Sequence, residues 1–235
     1  MAERLEASAS VPAIDLSSFA NSDGTADERA TAAAQLDAAA SEIGFFHMHV
    51  PGVTEAALRL LSCCQQFHAQ SDESKQAVSK DLSPIRRGYN ITWASAEGSC
   101  AAQRGRDPPD PKEVFMLGSE GDASPMHGPN LWPSQAALPG WKAAVQADWA
   151  TMMYGAKVLS RALAAALGEP ESAFDEAMRN PAAVLIMLRY DPTRLHAGSS
   201  IGCGAHTDCG FLTLLAQEEG SDALEVQRGA VISGR

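Results

Sequence analysis

The sequence predicts an α+β fold, a helical lobe packed on an antiparallel sheet, and three observations predict it. An alanine-rich stretch with start and stop signals runs from Thr25 to Gly44. Beyond Pro139, the residues Val145, Trp149, Met152, Ala156, Leu159, Leu163 and Leu167 recur at steps of four and three, the rhythm of one helix face. After Pro181 short apolar runs of strand character take over.

Taken in order, Val11–Leu16 reads as an edge strand, because Pro12 has no N–H to give to a ladder. Thr25-Ala-Asp-Glu28 matches a capping box, and Gly44 is placed to end the helix that it starts. Phe45–Val50 reads as a strand, Pro51-Gly52 as a turn, and Thr54 as the cap of a second helix running to Gln70. Residues 80–140 hold most of the prolines and few periodic apolar positions, so they read as mostly loop with short strands. Their length exceeds that of a passive connector, which marks a functional or wrapping segment. The long helix from Pro139 is closed by Gly168 and Pro170, and its apolar face is expected to pack on a sheet. Ser172 is placed to cap a short helix to Asn180. Val184–Tyr190, Phe211–Gln217, Ala223–Gln227 and Ala230–Ser233 read as strands.

Composition narrows the function classes. A chain of 235 residues, 45% hydrophobic, suffices for one domain, or one domain with a helical lobe. Eighteen basic against twenty-nine acidic residues give a net charge of -11, which repels phosphate backbones and anionic lipid. Neither nucleic acid nor a membrane surface is therefore expected as a partner. Residues 1–10 carry no apolar core of a secretory signal, and the apolar run Ala182–Leu188 is too short to span a bilayer. Cys63, Cys64, Cys100, Cys203 and Cys209 are an odd, scattered set without C-x-x-C spacing, which reads as reduced thiols and a cytoplasmic protein.

The informative segment is Gly204-Ala-His206-Thr-Asp208-Cys-Gly-Phe-Leu-Thr-Leu-Leu-Ala-Gln217. In an extended strand, residues two apart share a face, so His206 and Asp208 would present an imidazole and a carboxylate side by side. These are two of the three ligands of a facial triad, which holds iron(II) and leaves positions open for oxygen chemistry. A surface His–Asp hydrogen-bonded pair has the same spacing, and both readings stand at this point. The remaining histidines, His47, His49, His68, His127 and His196, sit beside strands, at a helix end or in loops without such a context.

The glycine-rich approach, the His-Thr-Asp core and the Phe-Leu-Thr-Leu-Leu strand followed by Gln closely resemble the metal-binding strand of the 2-oxoglutarate/iron(II)-dependent dioxygenases, in their isopenicillin N synthase-like family. Gly44-Phe-Phe-His-Met-His-Val-Pro-Gly52, Arg87-Gly-Tyr89, Asp110-Pro-Lys-Glu-Val-Phe-Met-Leu-Gly118, Gly128-Pro-Asn-Leu-Trp-Pro133 and Leu188-Arg-Tyr-Asp-Pro192 are similar to further family landmarks in the family's order. The resemblance implies a double-stranded β-helix (jelly roll). Its divisions would be an N-terminal region over 1–135, the long supporting helix and short helix over 136–180, and a partial jelly-roll core over 181–235. It implies His206 and Asp208 as iron(II) ligands, with 2-oxoglutarate as co-substrate and dioxygen consumed. Tyr190 matches a tyrosine that reaches the far carboxylate of 2-oxoglutarate; it reads equally well as a strand tyrosine buried for packing. The implied activity is hydroxylation, desaturation or ring closure of a small organic metabolite, although some relatives use no 2-oxoglutarate.

Two family features are missing. No histidine follows Asp208 to serve as third iron ligand, and neither Arg228 nor Arg235 begins the Arg-x-Ser pattern that anchors 2-oxoglutarate. The strands also fall short of the about eight that a jelly roll needs. The expectation is a C-terminally truncated chain, incomplete or inactive as an enzyme. The alternative is a non-catalytic relative that serves as an interaction module.

Overall fold

The structure, a computed structural model, describes residues 11–92, 112–122, 124–191, 203, 206–221 and 223–226. In chain order its elements are β1 (Ala13–Asp15), α1 (Ser17–Ala20), α2 (Ala26–Glu42), β2 (His47–His49), α3 (Val53–His68), α4 (Asp72–Gln76), a 3-10 turn (Lys80–Leu82), β3 (Gly88–Thr92), β4 (Lys112–Gly118), α5 (Trp141–Ala166) and β5 (Val184–Tyr190). Helix and sheet are thus mixed, as the sequence predicts. Among the described residues no helix is long and apolar enough to cross a membrane. Contacts divide the chain into two compact units. One draws on Met1–Thr54, Tyr154–Met178 and Gly220–Arg235, the other on Glu55–Met153 and Arg179–Glu219.

In the first unit β1 and β2 pair in parallel, with Ile14 opposite Met48, and the Pro12 carbonyl accepts from His47 N at 2.8 Å. Helix α2 begins with the capping box: Thr25 Oγ1 accepts from Glu28 N at 3.2 Å while Glu28 Oε2 accepts from Thr25 N at 2.8 Å. It ends at Gly44, whose φ of 78° is a left-handed conformation that glycine adopts without a Cβ penalty. The Gly44 N–H returns to the Ala39 carbonyl at 2.9 Å. Ala32, Ala33, Leu36 and Ala39 form the buried face.

The second unit is built on the antiparallel sheet β3-β4-β5 with β4 in the middle. Phe115 pairs with both Tyr89 and Met187, and all three are buried. They pack with Phe67 and Cys63 of α3 and with Trp141 and Val145 of α5. The Phe67 and Phe115 rings stack 4.0 Å apart, and the Trp141 indole N–H donates to the Cys63 carbonyl at 2.9 Å. The same sheet face carries a carboxylate. Glu113, 1% exposed, accepts from Lys75 Nζ at 3.0 Å and from Tyr89 Oη at 2.9 Å, with Arg189 Nη1 3.6 Å away. His68 Nδ1 lies 3.4 Å from that carboxylate, and its Nε2 lies 3.3 Å from the Met187 carbonyl. Burial pushes the Glu113 carboxyl up, but the hydrogen bonds from Lys75 and Tyr89 and the Lys75 charge outweigh it, leaving the group below its ordinary value. For His68 burial wins over both acceptors and lowers its pKa.

A second polar clamp joins the strands to the segment after β4. The buried Arg87 guanidinium donates to the carbonyls of Ser119 (2.9 Å), Gly128 (2.8 Å) and Met126, and to Asn130 Oδ1 (3.2 Å). Gly118 must lack a side chain here, since a Cβ would lie 2.4 Å from Arg87 Cζ.

The short strands expected within residues 80–140 are β3 and β4, and β4 is the central strand of its sheet. Other expectations need correction. Residues 171–179 are a succession of turns rather than the short helix expected from Ser172: Ala173 and Asp175 bond back three residues, to Pro170 and Ser172, and Met178 four, to Phe174. Leu167 lies beyond the end of α5 and is exposed, whereas Asp148, off the expected stripe, is buried and held by Arg59 at 2.7 Å. Phe211–Gln217 and residues 223–226 carry no strand. Exposure alternates along 211–215, as a strand's would, but alternation becomes a strand only when a neighbour supplies a ladder. Gln227 and the strand expected at Ala230–Ser233 lie outside the described residues, so the described sheets do not close into a jelly roll.

Two outcomes test this account. Thr25→Ala, which removes the α2 cap, should lower unfolding stability by about 1 kcal/mol in urea titration. The second concerns pH. Both Glu113 and His68 take up a proton less readily folded than unfolded, so stability is highest above both ordinary values. It should fall as the pH drops below the ordinary histidine value of 6.5, and further below the ordinary glutamate value of 4.5. His68→Gln should flatten the first of these declines; an unchanged profile in that variant would show that His68 is not its source.

Candidate functional site

Antiparallel register assigns each side chain of the second unit's sheet to one of two faces. Tyr89, Glu113, Phe115, Met187 and Arg189 share the face that packs on the helices. Lys112, Val114, Met116, Ile186, Leu188 and Tyr190 alternate with them and share the other face. On that face Ile186 and Leu188 are exposed, and Val114 and Met116 are half-buried. The floor is apolar and ends in a polar pair. Lys112 stands directly opposite Tyr190 in the ladder, with its Nζ 6.0 Å from the centre of the Tyr190 ring.

Tyr190 is 45% exposed, so its reading as a strand tyrosine buried for packing does not hold. From Lys112 a chain of short contacts leads to the His-x-Asp motif. Lys112 Nζ donates to Cys203 Sγ at 3.6 Å, and Cys203 Sγ lies 3.7 Å from His206 Nδ1. On the far side of the ring, His206 Nε2 lies 3.3 Å from Asp208 Oδ1. The two side chains are 31% and 53% exposed. Their segment is irregular rather than a strand, yet the imidazole and the carboxylate converge as the spacing predicts. Gly204 and Ala205 of the motif lie outside the described residues.

The donor set suits a first-row divalent metal. Two donors bound side by side at about 2.0–2.2 Å from one such ion lie about 3 Å apart, close to the observed separation. Imidazole with carboxylate is also the ligand chemistry of a facial triad. Among the described residues no third histidine, cysteine, aspartate or glutamate completes a cluster with them.

Sequence reasoning missed Lys112 and Cys203. Lys112 was within reach: it precedes Glu113 in the Asp-Pro-Lys-Glu landmark, and alternation alone puts it on the face opposite Phe115. Cys203 carries no such signal, because its role follows from a contact between residues 91 positions apart. Cys64 is pushed up to about 11 by burial and by the nearby Glu218 and Cys63, and so stays a thiol at neutral pH.

Comparison with known proteins gives this geometry a context. Residues 11–135 match the family described as non-haem dioxygenase in morphine synthesis N-terminal. The chain is 32% identical over 233 residues to the 2-oxoglutarate-dependent dioxygenase eupC of a Phoma species, covering 93% of this chain and 72% of that protein. It is 29% identical over 229 residues to isopenicillin N synthase of Streptomyces jumonjinensis, covering 90% and 67%. Among solved structures it resembles a full-length Neurospora crassa protein in complex with alpha-KG, with a TM-score of 0.65 at 22% identity, over 85% of this chain and 61% of that one. It also resembles a 2OG-Fe(II) oxygenase family protein of Caulobacter crescentus, with a TM-score of 0.62 at 20% identity, over 81% and 59%. The chain thus spans less than two thirds of either solved chain, and at these identities the two structures speak to the fold alone.

The two tyrosines of the sheet should respond differently to loss of the hydroxyl. Tyr89→Phe removes a buried donor from Glu113 and should cost roughly 1–3 kcal/mol of unfolding stability. Tyr190→Phe, on the exposed face, should stay within about 0.5 kcal/mol of the parent. Equal losses in urea titration would contradict the assignment of faces.

Proposed function

We propose, from the premise that this chain belongs to the iron(II)- and 2-oxoglutarate-dependent dioxygenase superfamily, in its isopenicillin N synthase-like family, that His206 and Asp208 hold the iron and that Tyr190 binds 2-oxoglutarate. The observation that carries the reading is the 3.3 Å convergence of His206 Nε2 and Asp208 Oδ1. On this reading β3, β4 and β5 are part of one sheet of a double-stranded β-helix, and 1–135, 136–180 and 181–235 are its N-terminal region, supporting helices and partial core.

An iron(II) ion held there supplies oxygen activation coupled to the oxidative decarboxylation of 2-oxoglutarate to succinate. The chain's own residues have simpler tasks. The His206 ring would offer a lone pair at Nε2, and Asp208 a carboxylate charge that offsets part of the ion's. Tyr190 presents its hydroxyl as a donor to a carboxylate. The apolar floor of Val114, Met116, Ile186 and Leu188 offers water-excluding surface to the carbon skeleton of a small organic metabolite, oxidised by hydroxylation, desaturation or ring closure.

Two protein ligands hold an ion less firmly than three. The stretch after Asp208 contains no histidine. The 235-residue chain should therefore bind cobalt(II), used as a spectroscopic stand-in for iron(II), weakly but saturably, and should form succinate slowly. His206→Ala and Asp208→Ala should each abolish saturable binding in a cobalt titration followed by visible absorption. Undiminished binding in both variants would refute the metal assignment.

A further inference from the structure

We infer that Cys203 and Lys112 are positioning residues for His206. With Nε2 bound to a metal, Cys203 Sγ would accept the Nδ1–H of the ring while Lys112 steadies that sulfur from the sheet, and Nε2 is thereby held beside Asp208. The inference rests on the reading of His206 and Asp208 as metal ligands.

The argument starts from the two ring nitrogens. A metal-bound histidine coordinates through one nitrogen and donates its other N–H to an acceptor that sets tautomer and ring orientation. Here Asp208 Oδ1 lies 3.3 Å from Nε2, so the ligand nitrogen is Nε2 and Nδ1 is the one that needs an acceptor. The atom at Nδ1 is Cys203 Sγ, at 3.7 Å and within hydrogen-bond range for sulfur. Left alone, sulfur is a weak acceptor on an irregular segment, and the ring torsion of a histidine is broad and roughly two-fold. Lys112 Nζ, 3.6 Å from the same sulfur, supplies the missing constraint.

Lys112 is itself well placed. It stands on the central strand, opposite Tyr190 in the ladder, and its neighbour Glu113 is locked on the other face by Lys75 and Tyr89. The central strand of the second unit thus reaches His206 through two contacts, Nζ to Sγ and Sγ to Nδ1. Without Cys203 the ring would keep its place in the chain but lose this contact at Nδ1.

The test uses the full 235-residue chain, with nitrogen–proton NMR of the zinc(II)-loaded protein and titration with cobalt(II) chloride as the metal probe. The expected result is a His206 Nδ1–H proton slow to exchange with water in the parent and in Cys203→Ser, which keeps an acceptor. In Cys203→Ala that proton should exchange too fast to be seen, and cobalt(II) affinity should fall about tenfold or more. Lys112→Gln should shift both readouts in the same direction. If Cys203→Ala retains the parent's Nδ1–H signal and affinity while His206→Ala abolishes binding, the positioning role is overturned and the metal reading stands. If His206→Ala binds cobalt(II) as the parent does, the metal reading falls, and the positioning role falls with it.

Discussion

A carboxylate buried in the sheet is the constraint on which the second unit depends. Placing the charge of Glu113 out of water costs several kcal/mol unless donors surround it. Those donors come from separate parts of the chain, Lys75 in α4 and Tyr89 in β3, while His68 at the end of α3 and Arg189 in β5 flank the carboxylate. Helices and strands can satisfy Glu113 together only in one arrangement. A slip of one residue in β4 would turn Glu113 and Phe115 to the open face and drive Lys112 toward Phe67 and Trp141. The buried ion network therefore reinforces the register that the apolar contacts favour. It also decides which side chains, Lys112 and Tyr190 among them, emerge on the opposite face.

This explains what several of the family-like landmarks do. Arg87-Gly-Tyr89, Lys112–Gly118 and Gly128–Pro133 lie apart in the chain and hold no reactive group in common. In the structure Arg87 grips the backbone around Ser119 and Gly128, Gly118 leaves room for its guanidinium, and Asn130 bonds both ends of Gly118. Tyr89 and Glu113 meet on the other side of the same strands. These motifs are devices for bringing a loop-rich stretch back to the sheet. Their polar, proline-rich composition is why residues 80–140 read as loop: burial of Arg87, Lys75 and Glu113 inverts the usual link between polarity and exposure.

Legibility followed the range of the interactions. The Thr25–Glu28 box, the Gly44 stop and the long helix ending near Gly168 depend on residues a few positions apart, so pattern alone located them. The place of β4 between β3 and β5 depends on partners far along the chain, and no local signal states it. Turn-forming residues explain the error at residues 171–179, where a serine cap was present but successive turns took the place of a helix. At the candidate site, residue type and spacing singled out His206 and Asp208, whose side chains the structure brings together. Cys203 was illegible because it matters only through what the fold puts beside it.

The exposure of the His206–Asp208 pair bears on why it is there. A polar pair so open to solvent contributes little to stability, since water and salt screen it and ordering two side chains costs entropy. Glu113 shows what this chain does when a carboxylate serves the fold: it is buried, and its partners are buried with it. Asp208 has none of that environment. A surface pair would satisfy the same contact between Nε2 and Oδ1, but it would not call for a third element on the ring's far nitrogen. That nitrogen faces Cys203, and Cys203 faces a lysine on the central strand of the sheet. Holding both nitrogens of an exposed imidazole returns little folding energy; on the proposed reading, its return lies in fixing the direction of Nε2.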